Sequence, residues 1–79
     1  MFNQVVLLGD IAEIYATKID IDVKGEIIPV EMTEDMVSKL LLNNQIGIKG
    51  HIEMFDNDIP HIFCDELTIL DRRGKKNGN

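Results

Sequence analysis

Apolar and polar residues alternate at period two through most of this chain, and only one stretch runs at helical spacing. In "KIDIDV", Ile19, Ile21 and Val23 alternate with Asp20 and Asp22. In "QIGIKGHIEMF", Ile46, Ile48, Ile52 and Met54 share one side, and Gly47, Lys49, His51, Glu53 and Phe55 the other. Successive side chains of a strand point to opposite faces, so both stretches read as half-buried strands. An earlier apolar run from Phe2 through Val5, Val6, Leu7 and Leu8 to Ile11 and Ile14 reads as a long first strand, bent at Gly9 by a bulge. Lys24-Gly25 marks a tight turn into "EIIPVEM", where Pro29 implies an edge, a strand end or a bulge. "DNDIP" is a turn, and "HIFCDELTIL" is the last strand. The helical stretch is "TEDMVSKLLLNN". Thr33 is placed to cap it, Glu34 and Asp35 suit its positive end, and Met36, Val37, Leu40 and Leu41 share a face. Asn43 and Asn44 can take the left-handed conformation that ends a helix.

Three strands, a helix and two more strands is the order of an OB-fold, a five-stranded Greek-key barrel with one helix between strands three and four. At 79 residues the chain is one domain, and at this size folding buries only ~60–65% of the unfolded surface, so self-association would help it. The expected domain covers residues 1–71; "DRRGKKNGN", with two Gly, two Asn and four cations, is expected to leave residues 72–79 as a disordered basic tail. No run approaches the ~20 apolar residues of a membrane span and the start is unlike a signal peptide, so the expected compartment is the cytoplasm, with no membrane partner. Cys64 is the single cysteine and is expected to be a small buried hydrophobe.

Charge divides the chain unevenly. Acidic residues outnumber basic ones 14 to 8, and Arg72, Arg73, Lys75 and Lys76 hold half of the positive charge. Residues 1–71 therefore carry four basic and fourteen acidic side chains, a net charge of −10. Such a body repels polyphosphate, because nonspecific nucleic-acid affinity comes mainly from Lys and Arg displacing counterions.

"MFNQVVLLGDI", "IIPVEM", "NNQIGIKGHIE" and "CDELTIL", in that order, resemble the strand motifs of the bacterial single-stranded DNA-binding proteins. The resemblance covers nearly all of residues 1–71. It implies an OB-fold, single-stranded DNA as ligand in replication and repair, no catalysis, no cofactor, and a homodimer or homotetramer. In that family the first strand pairs with its counterpart in another subunit. Phe2, Asn3, Gln4, Val5, Val6, Leu7 and Leu8 are then the expected oligomer interface. The chain departs from the pattern in having no Trp, Ile27 and Thr33 where the family places aromatics on the third strand, short hairpins, and a basic tail instead of an acidic tip.

Phe55 is the remaining candidate for base stacking, beside Lys49 and His51 by parity; its alternative place is a subunit interface or a fold over the barrel rim. Tyr15 can stack or hydrogen-bond at the barrel mouth, or serve structure alone. Lys18, Lys24 and Lys49, supplemented by Arg72 and Arg73, are the candidate phosphate contacts, or else ordinary surface charge. His51 and His61 lie on neighbouring strands without a third ligand at metal spacing, so no metal site is expected. The acid pairs Glu34-Asp35 and Asp65-Glu66 read as a helix start and a strand motif, so no catalytic residue is expected.

Two functions from different classes fit these features. The first is a non-enzymatic, weak single-stranded DNA-binding protein. The second is an OB-fold interaction subunit that has lost DNA binding and docks a protein partner on its acidic surface. A small RNA-binding OB module is a third reading, less consistent with the acidic charge. If the lysines and aromatics converge on one face while the carboxylates occupy the other, DNA binding survives; if carboxylates line the groove between strands two, three and the fourth-to-fifth hairpin, the interaction subunit is favoured.

Overall fold

The computed structural model describes residues 3–54 and 59–70. Its elements are β1 (Gln4–Ile14), β2 (Lys18–Val23), β3 (Glu26–Glu31), α1 (Glu34–Val37), β4 (Gln45–Met54) and β5 (Pro60–Ile69). The strands close into a barrel in the order β1-β2-β3-β5-β4. Every pairing is antiparallel except the short one between β3 and β5, Val30 with Ile62 and Glu31 with Phe63. This is the OB-fold that the strand order implies.

The period-two isoleucines supply the core. Ile11, Ile19, Ile21, Val30, Ile46 and Ile48 are almost wholly inaccessible, with Met32, Val37, Leu40 and Cys64 packed around them. Burying each such isoleucine contributes about 1.5–3 kcal/mol. β-branched chains suit this role because they pack well on a pleated surface. Lys24 and Gly25 both take positive φ, 54° and 92°, as the two-residue hairpin turn between β2 and β3 requires. Pro29 lies on an edge: β3 pairs with β2 along its length, but with β5 only at Val30 and Glu31.

Three expectations are corrected. The first-strand bulge is not at Gly9, where the β1–β4 register is unbroken, but between Ile11 and Glu13 in the β1–β2 ladder. Gly9 is instead a close approach, since a Cβ there would collide with the Asp22 carbonyl oxygen.

The helix is one turn, not the three implied by residues 33–44. Thr33 caps it, its Oγ1 accepting from the Met36 N–H at 3.2 Å. Beyond it the chain is pulled onto β1: Ile11 N–H donates to the Asn44 carbonyl and Asn43 N–H to the Ile11 carbonyl, both at 3.0 Å. Buried Asn44 also accepts from the Leu41 N–H through Oδ1, and Asn43 takes φ 69°. These bonds replace further helical turns. Leu40 therefore reaches the core while Leu41 is exposed.

On β4, Ile46 and Ile48 face inward as expected, but Ile52 and Met54 do not, being 37% and 63% exposed. The β4–β5 ladder runs on to Met54 opposite Pro60, past the last β1–β4 pair, Gln4 with His51. No barrel interior lies behind its end. The register also shifts beside Gly50, where Lys49 faces Glu66 but Gly50 faces Cys64. A Cβ on Gly50 would strike the Phe63 carbonyl oxygen, so this close crossing requires glycine.

Candidate ligand-binding faces

The outward residues of β1, β2 and β3 are set by the register. Asp10 lies opposite Asp22, Glu13 opposite Asp20, and Lys18 opposite Glu31. Like charges directly opposite on a sheet destabilise it, so Asp10–Asp22 and Glu13–Asp20 are two unfavourable cross-strand pairs on one surface. Lys18 is the single cation among these outward residues, and it is already engaged. Its Nζ sits 4.7 Å from the centroid of the Tyr15 ring, whose hydroxyl reaches Asp20 Oδ2 at 3.4 Å. The negative charge of Asp20 raises the Tyr15 pKa, with partial burial and Glu13 adding to it. Ile27 and Pro29 are exposed on the same face. In OB-folds the surface of strands two and three is the usual ligand surface. Here it is lined by carboxylates.

A second cluster lies where β4 and β5 leave the barrel. His51 stacks on Phe63, ring centroids 5.8 Å apart and planes 17° from parallel. Its Nε2 meets Glu53 Oε2 and its Nδ1 meets Asp65 Oδ2, both at 2.7 Å. The bonds to Glu53 and then Asp65 raise the His51 pKa. His61 Nδ1 lies 3.2 Å from Glu31 Oε2 and ties β5 to β3. Phe63 is a residue that the sequence reading did not single out. Its signal was available: if Cys64 faces the core, the alternation of a strand turns Phe63 outward.

The third surface is the wall of β1, β4 and β5. Val6 and Leu8 are 64% and 61% exposed on it, with Leu70 beside them. They surround a shallow depression of about 270 Å³ floored by Gly47 and flanked by Lys49 and Glu66, which pair at 3.9 Å. Residues 4–8 pair with β4 on one side, whereas the β1–β2 ladder begins only at Asp10, so among the described residues this part of β1 keeps an open edge.

The structure thus separates the expected site residues. Tyr15 and Lys18 come together; Lys24 sits at the β2–β3 turn and Lys49 on the β1–β4–β5 wall with Glu66. Phe55, Arg72, Arg73 and Phe2 lie outside the described residues. Of the expected interface, Val6 and Leu8 face out, Leu7 packs against the core, and half-buried Val5 shares the inward parity of Leu7. Gln4 lies opposite His51, and Asn3 is spent within the fold, its carboxamide bonding both the Ile52 carbonyl and the Ile52 N–H, at 2.6 and 3.0 Å. Cys64 is buried, its thiol donating to the Glu66 carbonyl. Burial pushes that thiol's pKa up. Among the described residues no group of three or more His, Cys, Asp or Glu is arranged to hold a metal ion. No helix among them is long and apolar enough to cross a membrane.

No protein-family model matches the chain, and neither does any curated protein. Solved structures do. OBody NL8 bound to hen egg-white lysozyme superposes with a TM-score of 0.72 at 20% identity, over 90% of this chain and 97% of that one. OBody AM3L09 bound to hen egg-white lysozyme gives 0.70 at 22%, over 87% and 82%. A chain of the replication protein A heterotrimer bound to ssDNA gives 0.63 at 18%, over 94% of this chain and 62% of that one. At these identities the likeness is one of fold, and the chain is an OB-fold protein.

Proposed function

We propose that this chain is a non-enzymatic OB-fold binding protein whose β1–β2–β3 face docks a basic segment of a protein partner. The observation that carries the reading is the row of Asp10, Glu13, Asp20, Asp22 and Glu31 on that face, with Lys18 held against Tyr15. Two cross-strand carboxylate pairs cost the barrel stability, and a cationic ligand relieves that repulsion on binding. A phosphate backbone on the same face adds to it. Binding of a protein by this architecture has a parallel in the OBody structures with lysozyme.

Single-stranded DNA is the second reading, favoured by the His51–Phe63 stack at the base of the β4–β5 hairpin, by the resemblance to bacterial single-stranded DNA-binding proteins, and by the replication protein A structure with ssDNA. Stacked bases contribute about 1–3 kcal/mol each, so under this reading Phe63→Ala weakens poly-dT binding by that amount.

Fluorescence anisotropy separates the two. A labelled oligolysine and a labelled poly-dT strand are titrated at two salt concentrations with the full chain and with a chain ending at Asp71. The expected result is oligolysine binding that weakens with salt and falls several-fold in Asp20→Asn/Asp22→Asn, with no poly-dT bound by the shorter chain at low salt. Micromolar poly-dT binding that survives tail removal overturns the proposal in favour of the second reading.

The proposal includes self-association through the β1–β4–β5 wall. Exposed Val6, Leu8 and Leu70 supply apolar area, and residues 4–8 an open strand edge. Lys49 and Glu66 leave this wall balanced in charge, so two strongly acidic bodies meet there with least repulsion.

A further inference from the structure

An open groove of about 590 Å³ separates α1 from β5, lined by Met36, Lys39 and the five consecutive residues 65–69. A strand that offers a face to a groove lines it with alternate residues, because successive side chains point opposite ways. Consecutive residues line it when the strand's edge is exposed. Inward-facing Leu67 and Ile69 and outward-facing Glu66 and Thr68 all border this groove, so it runs along an edge. The pairing agrees. Among the described residues, β5 from Cys64 onward pairs only with β4, its contact with β3 being confined to Ile62 and Phe63. An edge of this kind presents backbone N–H and C=O groups as a template for another strand.

We propose that this edge takes an extended peptide from a partner protein as an added strand, with an acidic side chain of the peptide placed for Lys39. Main-chain hydrogen bonds along β5 supply the affinity, and pockets for alternate side chains the selectivity. Five residues of strand span about 17 Å, which holds a peptide of similar length. One row of its side chains meets Met36, Leu67 and Ile69, and the other points to solvent. The charge requirement follows from the ion pairs. Asp65 is held by His51 at 2.7 Å and Glu66 lies 3.9 Å from Lys49, whereas Lys39 has no ion pair among the described residues. This site is separate from the acidic face of β1–β3, and it stands or falls independently of the function proposed above.

The test pans the full chain against a displayed library of random heptapeptides and synthesises the best binder, unmodified and with backbone N-methyl groups at alternate positions in each of the two registers. The expected binder protects the edge-facing amides of residues 65–69 from hydrogen exchange. It loses about tenfold or more in affinity on N-methylation in one register but not in the other, the cost of one or more main-chain hydrogen bonds. It carries an Asp or Glu, and Lys39→Glu, a substitution at an exposed side chain, weakens it several-fold, while a second peptide with Lys in place of that acid binds the Lys39→Glu protein better than it binds the parent protein. A binder whose protection lies elsewhere, one that tolerates N-methylation in both registers, one indifferent to Lys39→Glu, or the absence of any binder tighter than millimolar overturns the proposal.

Discussion

His51 combines structure and titration in one side chain. It bridges Glu53 and Asp65 while stacking on Phe63, and a neutral imidazole has only one N–H to give to its two carboxylate partners. Protonation supplies the second donor, which is why the bonds to Glu53 and Asp65 raise the pKa. A group whose folded pKa lies above its unfolded value contributes stability that is fully present below the unfolded pKa, ordinarily about 6.5, and lost as pH rises through the folded one. His51→Gln is therefore expected to lower the melting temperature at pH 5.5 and to leave it nearly unchanged at pH 9; an equal loss at both values would mean that the ring acts through packing alone. Gly50 makes the second residue-scale prediction. Gly50→Ala forces a Cβ into the Phe63 carbonyl and should cost about 1–3 kcal/mol in denaturant unfolding, the range of overpacked sites. At this scale the sequence told core from surface wherever strict alternation held, as for Ile19, Ile21, Ile46 and Ile48. It did not tell which outward residues meet, because Asp10 with Asp22 and His51 with Asp65 are consequences of register and of the shift beside Gly50.

The elements divide by how local their causes are. The β2–β3 hairpin follows from Lys24-Gly25 and the flanking alternation, both visible in the sequence. The helix does not follow from its sequence alone. "TEDMVSKLLLNN" has a cap, first-turn acids and an apolar face, yet it continues helically only to Val37, because Asn43 and Asn44 bond across to Ile11 on β1. Tertiary hydrogen bonds outweigh a helix propensity that differs by only tenths of a kcal/mol per residue. The consequence is measurable at three adjacent leucines. Leu40 is 6% exposed, against 59% for Leu41 and 56% for Leu42. Leu40→Ala should cost about 2–5 kcal/mol, as for other buried leucines. Leu41→Ala and Leu42→Ala should each stay within about 0.5 kcal/mol. A full-length helix with Leu41 on its buried face would instead make Leu40→Ala and Leu41→Ala comparable. The far end of β4 follows the same logic. The alternation of Ile52 and Met54 is genuine strand periodicity, but burial depends on a neighbour, and among the described residues the last β1–β4 rung is Gln4 with His51.

For the molecule as a whole, the proposed self-association rests on the balance of charge and apolar surface. A body of net charge −10 resists close approach to its own copies almost everywhere, and that repulsion weakens as salt shortens the screening length to about 8 Å at physiological strength. The β1–β4–β5 wall is the exception, with Val6 and Leu8 exposed and Lys49 offset by Glu66. Val6 lies opposite Lys49 in the β1–β4 register, so Val6→Lys sets a second ammonium beside the first. Because Val6 is 64% exposed, the substitution should leave the monomer folded, with a change in stability within about 0.5 kcal/mol. Across a two-fold contact it would place two unpaired ammonium groups beside the two Lys49–Glu66 pairs in one apolar patch, where unpaired charges cost several kcal/mol each when desolvated. Sedimentation equilibrium should then give an assembled mass for the parent, most fully so at higher salt, and a monomer mass for Val6→Lys at every salt concentration. A parent that is monomeric throughout removes self-association from the proposed function. A variant that keeps the parent's assembled mass moves the contact to another surface and leaves the open edge of residues 4–8 without the role assigned to it.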